Sequence, residues 1–147
     1  MVEDSRQQAR ALLAKAVEFH GHLGPFLVLG IRMGAIAQSI FKGRSRNDLT
    51  AIMFVDPNPP ASCAVDGVQV SSGCTLGKGT IRVSQSSDRV AGEFCAGDRV
   101  CTIGVKTEVL NELLDSLKKA SEQGVLELAE RVLARPDEEL FEIKLAA

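Results

Sequence analysis

The chain has 147 residues, 45% of them hydrophobic, and its 17 Lys and Arg against 19 Asp and Glu give a formal net charge of −2. This length fits one domain, residues 1–147, which can bury a hydrophobic core without disulfides or a structural metal. Because charges of both signs are mixed along the chain, there is no basic face, and nucleic acid is not an expected partner.

The N-terminal segment and the most apolar segment bear on where the protein resides. Residues 1–6 are mostly polar and lack the apolar core of a secretory signal. The stretch from Phe26 to Ile31 is interrupted by Arg32 and is far shorter than the roughly 20 residues that cross a bilayer. We therefore expect a cytoplasmic protein without a membrane span. In that reducing compartment, the four cysteines are expected to be thiols or metal ligands before disulfides.

Two helices are predicted near the N-terminus. From Arg6 to Phe19, apolar residues recur at steps of three and four, which indicates an amphipathic helix. A second helix is expected from Pro25 to about Phe41, with Lys42-Gly43 ending it. Gly30 and Gly34 lie one turn apart in this helix, so another surface can pack closely on their face.

The central segment is predicted to run from a strand through a helix into further strands. Thr50 to Val55 is a short apolar run stopped by a proline-rich loop, which suits a buried strand. Ser62 is expected to cap a short helix from about Cys63 to Val70, which closes at Ser71-Ser72-Gly73. Strands are then expected at residues 80–84, 90–95 and 99–105. They should form a mostly antiparallel meander with a tight turn at Ala96-Gly97-Asp98.

The C-terminal part is predicted to be mainly helical. Helices are expected from Thr107 to about Ala120 and from Gly124 to Ala134. Residues 141–145 alternate in polarity and form either a last strand or a frayed tail. The order of elements predicts a single α+β domain, in which a mostly antiparallel sheet packs with helices.

His20 and His22, the only histidines, lie in a turn bounded by glycines and followed by Pro25. On a regular helix they would diverge by about 200°, but on a turning backbone both can face one pocket. Imidazole is suited to titration near neutral pH and to binding a transition metal. The alternative is that one histidine caps a helix or fills a hydrogen bond in the core.

Two cysteines and one carboxylate are candidates for the rest of a site. Cys63 falls at a predicted helix start, where the helix dipole and free amides favour a thiolate for nucleophilic attack or metal ligation. Asp66, one turn later, can orient a histidine, relay a proton or simply support the first turn. If the chain folds back after this helix, Cys74 joins Cys63 and the histidines in a set that zinc accepts. The eleven-residue offset between the two cysteines is not a zinc-finger spacing.

Three further features carry weaker expectations. Gly73 to Gly79 resembles a phosphate loop only superficially, because three residues separate its first glycines and Gly79 follows Lys78. Lys78 either clamps an anionic substrate group or is merely solvated. Cys95 and Cys101 flank the predicted hairpin turn and are expected to be structural thiols.

Four segments of the sequence together resemble a known family. They are Phe19–Pro25, Leu29–Gly34, Cys63–Gln69 and Gly73–Gly79. They are similar to the FmdE-like family, named after the FmdE protein that accompanies formylmethanofuran dehydrogenase. The resemblance covers most of the chain, from the first helix to residues 136–141. It implies an α+β domain, often a homodimer, with a metal site, usually zinc, drawn from the His-Gly-His turn and the cysteine motif.

The resemblance also implies roles for individual residues. The implied metal ligands are His20, His22, Cys63 and Cys74. The residues implied to line the same pocket are Asp66, Gln69 and Lys78. Two departures matter: Gly24 stands where many members have Cys, and the chain reaches Ala147 without the C-terminal zinc ribbon that many members carry.

Three functions are left open by these observations. In the first, the protein binds zinc and acts as an accessory subunit or maturation factor, partnered by subunits of the molybdenum or tungsten formylmethanofuran dehydrogenase. In the second, it is itself an enzyme, in which the nucleophile is either the Cys63 thiolate or a water molecule activated by zinc. Asp66 or a histidine then acts as the general base, and Gln69 and Lys78 hold the substrate. In the third, it is an interaction module in which Gly30 and Gly34 mark a dimer contact.

With four cysteines that are not grouped, the chain is not expected to bind an iron–sulfur cluster unaided.

Overall fold

The structure, a computed structural model, describes residues 4–42 and 48–146. The helices are α1 (Arg6–His20), α2 (Pro25–Ile40), α3 (Cys63–Ser72), α4 (Thr107–Lys119), α5 (Glu122–Ala134) and α6 (Asp137–Leu140). The strands are β1 (Thr50–Val55), β2 (Ile81–Gln85), β3 (Ala91–Ala96), β4 (Arg99–Val105) and β5 (Phe141–Ala146).

The strands form one mixed sheet in the order β2-β1-β3-β4-β5. β1 is parallel to β2, and the other neighbours are antiparallel. The expected α+β class and mostly antiparallel sheet are confirmed. The expected meander is wrong at β2, which pairs with β1 instead of β3. The reason is that α3 lies between β1 and β2 in the chain and supplies the crossover that parallel pairing requires.

Most element boundaries agree with the sequence-based expectations to within two residues. α2 begins at Pro25 and ends at Ile40, while the predicted stop at Gly43 lies outside the described residues. α3 continues to Ser72 and ends at Gly73, whose φ of 80° is left-handed and therefore favours glycine. The C-terminal alternating segment is a strand that pairs with β4. The single turn of α6 was not expected.

Close contact between α2 and α3 forms the centre of the helical layer. A Cβ added at Gly30 would lie 2.0 Å from the carbonyl oxygen of Ala64, and one at Gly34 would lie 2.0 Å from Ser71 Oγ. From the opposite side, Gly67 approaches the backbone of α2 equally closely. The expected close packing at Gly30 and Gly34 is confirmed, but its interpretation as a dimer contact is wrong, because α3 of the same chain covers that face.

Arg32 is fully buried in α2 and ties three parts of the chain together. Its guanidinium donates to Asp137 Oδ1 at 2.7 Å, to Ser5 Oγ at 2.8 Å, and to the carbonyl oxygens of Val132, at 2.7 Å, and Arg135. Burial lowers the pKa of Arg32, and the side-chain hydrogen bond with Asp137 offsets part of that effect. Arg32 therefore fixes α2 against the N-terminus and α6.

In the described ranges 4–42 and 48–146, none of the helices is long and apolar enough to cross a membrane.

Candidate metal centre

The two histidines are brought together where α1 ends. His20 is the last residue of α1, and Gly21 follows it with a φ of 106° while its N–H donates to the carbonyl of Val17. Only a residue without a Cβ adopts this conformation cheaply. The reversal brings the ring of His22 back to His20, with 4.5 Å between the ring centroids. The glycine-bounded turn thus aims both imidazoles at one place.

Cys63 reaches the same place from α3. It is the first residue of that helix, as expected. One donor atom from each of His20, His22 and Cys63 lies within 4.8 Å of the other two. Ligands around a tetrahedral zinc ion stand about 3.3 to 3.8 Å apart, as its bond lengths of about 2.0 to 2.3 Å require. Side-chain adjustments of about 1 Å therefore suffice to bring these three donors onto one ion.

Asp66 orients the first of the histidines. Its Oδ2 lies 2.6 Å from Nδ1 of His20. A carboxylate only accepts hydrogen bonds, so this contact requires the proton on Nδ1, and in the neutral imidazole the lone pair is then on Nε2. That Nε2 atom is buried, and the described part of the chain offers it no hydrogen-bond partner. A buried nitrogen with an unused lone pair, backed by a carboxylate, is the arrangement of a histidine that ligates a metal.

A small cavity of about 100 Å³ lies beside these donors. Its lining residues are His20, His22, Gly24, Pro25, Phe26, Leu27, Pro60, Cys63, Leu117 and Val125. The walls other than the donors are apolar, whereas His22 itself is exposed, so a metal held by these three ligands would have one coordination position open. Gly24, the position at which the resemblance implied a cysteine in many members, lies in this wall.

The environment of Cys63 opposes ionisation of the metal-free thiol. Burial raises its pKa, and the nearby charge of Asp66 raises it further. The expected helix-start effect, which would favour a thiolate, is therefore outweighed by these two causes. A bound cation would reverse the balance, because a coordinating thiol is deprotonated by the metal charge.

The structure does not bring Cys74 to this cluster. Its side chain is fully buried, and its Sγ donates to the carbonyl of Leu49 at 3.3 Å. α3 has ten residues and is thus about 15 Å long, and Cys74 lies beyond its far end. None of the four cysteines, all within the described residues, forms a disulfide. Cys95 and Cys101 lie on β3 and β4, away from the histidines.

A larger groove of about 610 Å³ lies on the other side of Asp66. It is lined by Lys15, Phe19, Asp66, Gln69, Val70, Thr75, Leu76 and Gly77. Phe19 and Leu76 are 59% and 79% exposed, which is unusual for large apolar side chains. Gln69, which was expected to line the pocket, lines this groove. Lys78 is not among the lining residues and lies in the exposed turn next to it.

Sequence reasoning missed two features of the molecule, one of them in this region. The first is the groove, whose signal was two large apolar residues, Phe19 and Leu76, in otherwise polar or glycine-rich surroundings. The second is the pairing of Arg32, which was interpreted only as an interruption of an apolar run. The signal for this pairing was a charged residue in a helix with no polar face, because a buried charge has to be paired inside the protein.

A comparison with protein families agrees with the resemblance drawn from the motifs. The family model described as "FmdE, Molybdenum formylmethanofuran dehydrogenase operon" matches residues 19–142. A protein from Archaeoglobus fulgidus described as "Probable S-adenosyl-L-methionine-binding protein" is 39% identical over 86 residues. That alignment covers 54% of this chain and 22% of the relative, so the chain spans only about a fifth of that protein's length.

Proposed function

This chain belongs to the FmdE family, and we propose that it is a metal-binding protein whose ligands are His20, His22 and Cys63. Zinc is the expected metal, because two imidazoles and one thiolate are ligands that it favours. The observation that carries the proposal is the meeting of these three donors within 4.8 Å, with the lone pair of a buried His20 Nε2 otherwise unused. Cys74 is left in the core in this proposal.

The protein's own residues give the site its character. Asp66 keeps the proton of His20 on Nδ1 and so keeps Nε2 available to a cation. Leu27, Leu117 and Val125 supply apolar walls to the cavity beside these donors. His20, His22 and Cys63 would hold the zinc ion, which would supply Lewis-acid chemistry or an activated water molecule at its remaining position. A purely structural zinc site would instead be closed by a fourth protein ligand.

We place this site in an accessory subunit or maturation factor for a molybdenum or tungsten formylmethanofuran dehydrogenase. The description of the matching family, which names the operon of the molybdenum enzyme, supports this role. Subunits of that enzyme are the proposed partners, a homodimer the proposed state and the cytoplasm the proposed compartment. S-adenosylmethionine, which the description of the relative names, is a candidate ligand. Most of that protein lies outside the aligned part, so binding of this ligand by the present chain has to be tested directly.

The open position and its 100 Å³ cavity also favour a second candidate, an enzyme that acts on a small molecule. In this version Cys63 holds the metal, Asp66 acts through His20, and Gln69 and Lys78 contact substrate in the neighbouring groove and turn. The alternative in which Cys63 is a free thiolate nucleophile is less well supported, because burial and Asp66 raise the pKa of this thiol.

Zinc titration of the metal-free protein, in competition with a chromophoric chelator, tests the proposed function. Wild type is expected to bind one zinc ion per chain, and Cys63→Ser and His22→Ala are expected to lose that binding. Cys95→Ser is the matched control, because Cys95 is also only partly buried but lies on β3. If wild type takes up no zinc, or if the two ligand variants bind it as wild type does, the proposal fails.

A further inference from the structure

A chain of hydrogen bonds runs from the turn after α3 to the candidate metal ligand. The backbone N–H of Leu76 donates to Gln69 Oε1 at 3.0 Å. Gln69 Nε2 donates to Asp66 Oδ1 at 3.3 Å. The other oxygen of Asp66 lies 2.6 Å from His20 Nδ1. The chain thus ends at the imidazole whose Nε2 is buried and unused.

We propose that Gln69 is a positioning residue for the metal centre, acting on the metal through Asp66 and His20. This inference rests on the proposed function. The side chain of Asp66 is 35% exposed, so packing alone does not fix the rotation of its carboxylate. A hydrogen bond to Oδ1 holds that rotation and keeps Oδ2 directed at His20. The residues are three apart on α3, a spacing that places them on one helix face.

The orientation of the Gln69 carboxamide follows from its two partners. The N–H of Leu76 can only donate and the carboxylate of Asp66 can only accept, so Oε1 must face Leu76 and Nε2 must face Asp66. A residue at this position therefore needs one acceptor and one donor at the same reach. Glutamine provides both, whereas glutamate lacks the donor and methionine lacks both.

The turn after α3 is closed by hydrogen bonds of its own, which argues that the carboxamide of Gln69 serves Asp66. Thr80 N–H donates to the carbonyl of Thr75 at 3.1 Å, and Thr75 N–H donates to Thr80 Oγ1 at 2.9 Å. Gly79 N–H donates to the carbonyl of Leu76 at 3.0 Å. The contact of Gln69 with Leu76 adds one bond to a turn that is already closed. Leu76 is the fixed point from which Gln69 aims Asp66.

The test measures the affinity of metal-free protein for Co²⁺, whose absorption in a thiolate site reports binding directly. Gln69→Met keeps the side-chain length and removes both hydrogen bonds. Its affinity is expected to fall about tenfold, at the lower end of the effect of removing outer partners of a metal site. Gln8→Met, at an exposed position of α1, is the matched control and is expected to bind as wild type. The melting temperature of metal-free Gln69→Met is expected to match wild type.

A double-mutant cycle with Asp66→Ala separates positioning from a general structural effect. If Gln69 acts through Asp66, Gln69→Met causes no further loss once Asp66 is absent. The proposal is overturned if Gln69→Met binds Co²⁺ as tightly as wild type, or if it causes the same loss in the Asp66→Ala background. Wild type that binds no Co²⁺ overturns the proposed function itself, whereas tight wild-type binding with an unaffected variant overturns only the role of Gln69.

Discussion

Gly30 of α2 lies directly against Ala64 of α3, so close that a Cβ at position 30 would fall 2.0 Å from the carbonyl oxygen of Ala64. Ala64 follows Cys63 in the chain. The packing of two helices therefore determines where a candidate metal ligand stands relative to the histidines.

Replacing Gly30 by alanine is expected to destabilise the protein and to weaken metal binding together. The added methyl group meets backbone, which cannot rotate away, so the free energy of unfolding should fall by about 2 kcal/mol or more. Any shift of α3 that relieves the clash also moves Cys63. Urea unfolding and zinc titration measure the two effects. Gly77→Ala is the control, since a Cβ there meets nothing within 4 Å; equal stabilities of the two variants would contradict the packing argument.

Replacing Arg32 by methionine is expected to cost about 3 to 5 kcal/mol of the free energy of unfolding. The variant leaves two backbone carbonyls without their buried donor, and it leaves the carboxylate of Asp137, which still accepts from Ser5, without its charged partner. Arg10→Met is the matched control. Arg10 pairs with Glu130 at 3.7 Å on the surface, where removal should cost less than about 1 kcal/mol. Denaturant unfolding compares the two variants. If both lose a similar free energy of unfolding, burial of the Arg32 pair does not increase its contribution to stability, and the prediction is contradicted.

Sequence patterns predicted local structure well and long-range pairing less well. Pro25 and Gly73 marked the start of α2 and the end of α3, because each residue has a strong conformational preference of its own. The order β1, α3, β2 indicates a parallel crossover, but the segment of β2 was interpreted as part of an antiparallel meander. Such a pairing is decided by the course of the chain through α3 and not by any residue in β2.

The candidate site shows the same division. The His-Gly-His sequence was enough to predict that the two imidazole rings meet, because one left-handed glycine between them brings the rings together. The expectation for Cys74 depended on the length of α3 and on the direction of the chain beyond it. α3 continues to Ser72, and the turn at Gly73 sends Cys74 into the core beside Leu49. The pairing of His20 with Asp66 was one of several roles that the sequence left open.

Raising the pH is expected to destabilise the protein partly through Cys101. Burial raises the pKa of this thiol from 9.0 to about 11. Between these values the folded state keeps the proton while the unfolded state has lost it, so the free energy of unfolding falls as pH rises. The loss approaches about 2 to 3 kcal/mol near pH 11. Cys101→Ala should be less stable at neutral pH but show a shallower decline; an unchanged slope in chemical unfolding from pH 8 to 11 would contradict this origin.

Alkylation of Cys63 is expected to be slow at neutral pH and to be blocked by zinc. Burial and the charge of Asp66 raise the pKa of the metal-free thiol, so its rate with iodoacetamide should reach half-maximum above pH 9.0. Saturating zinc should protect it further by occupying the sulfur. Cys95 serves as an internal reference, because zinc should leave its rate unchanged. Peptide mass spectrometry gives both rates, and a rate for Cys63 that zinc does not alter would count against ligation.

X-ray absorption at the zinc edge of the loaded protein tests the composition of the site most directly. We expect one sulfur at about 2.3 Å and two imidazole nitrogens at about 2.0 to 2.1 Å, with one lighter atom completing the shell. A first shell with no sulfur in wild type, or with two sulfurs, would contradict the ligand set His20, His22 and Cys63.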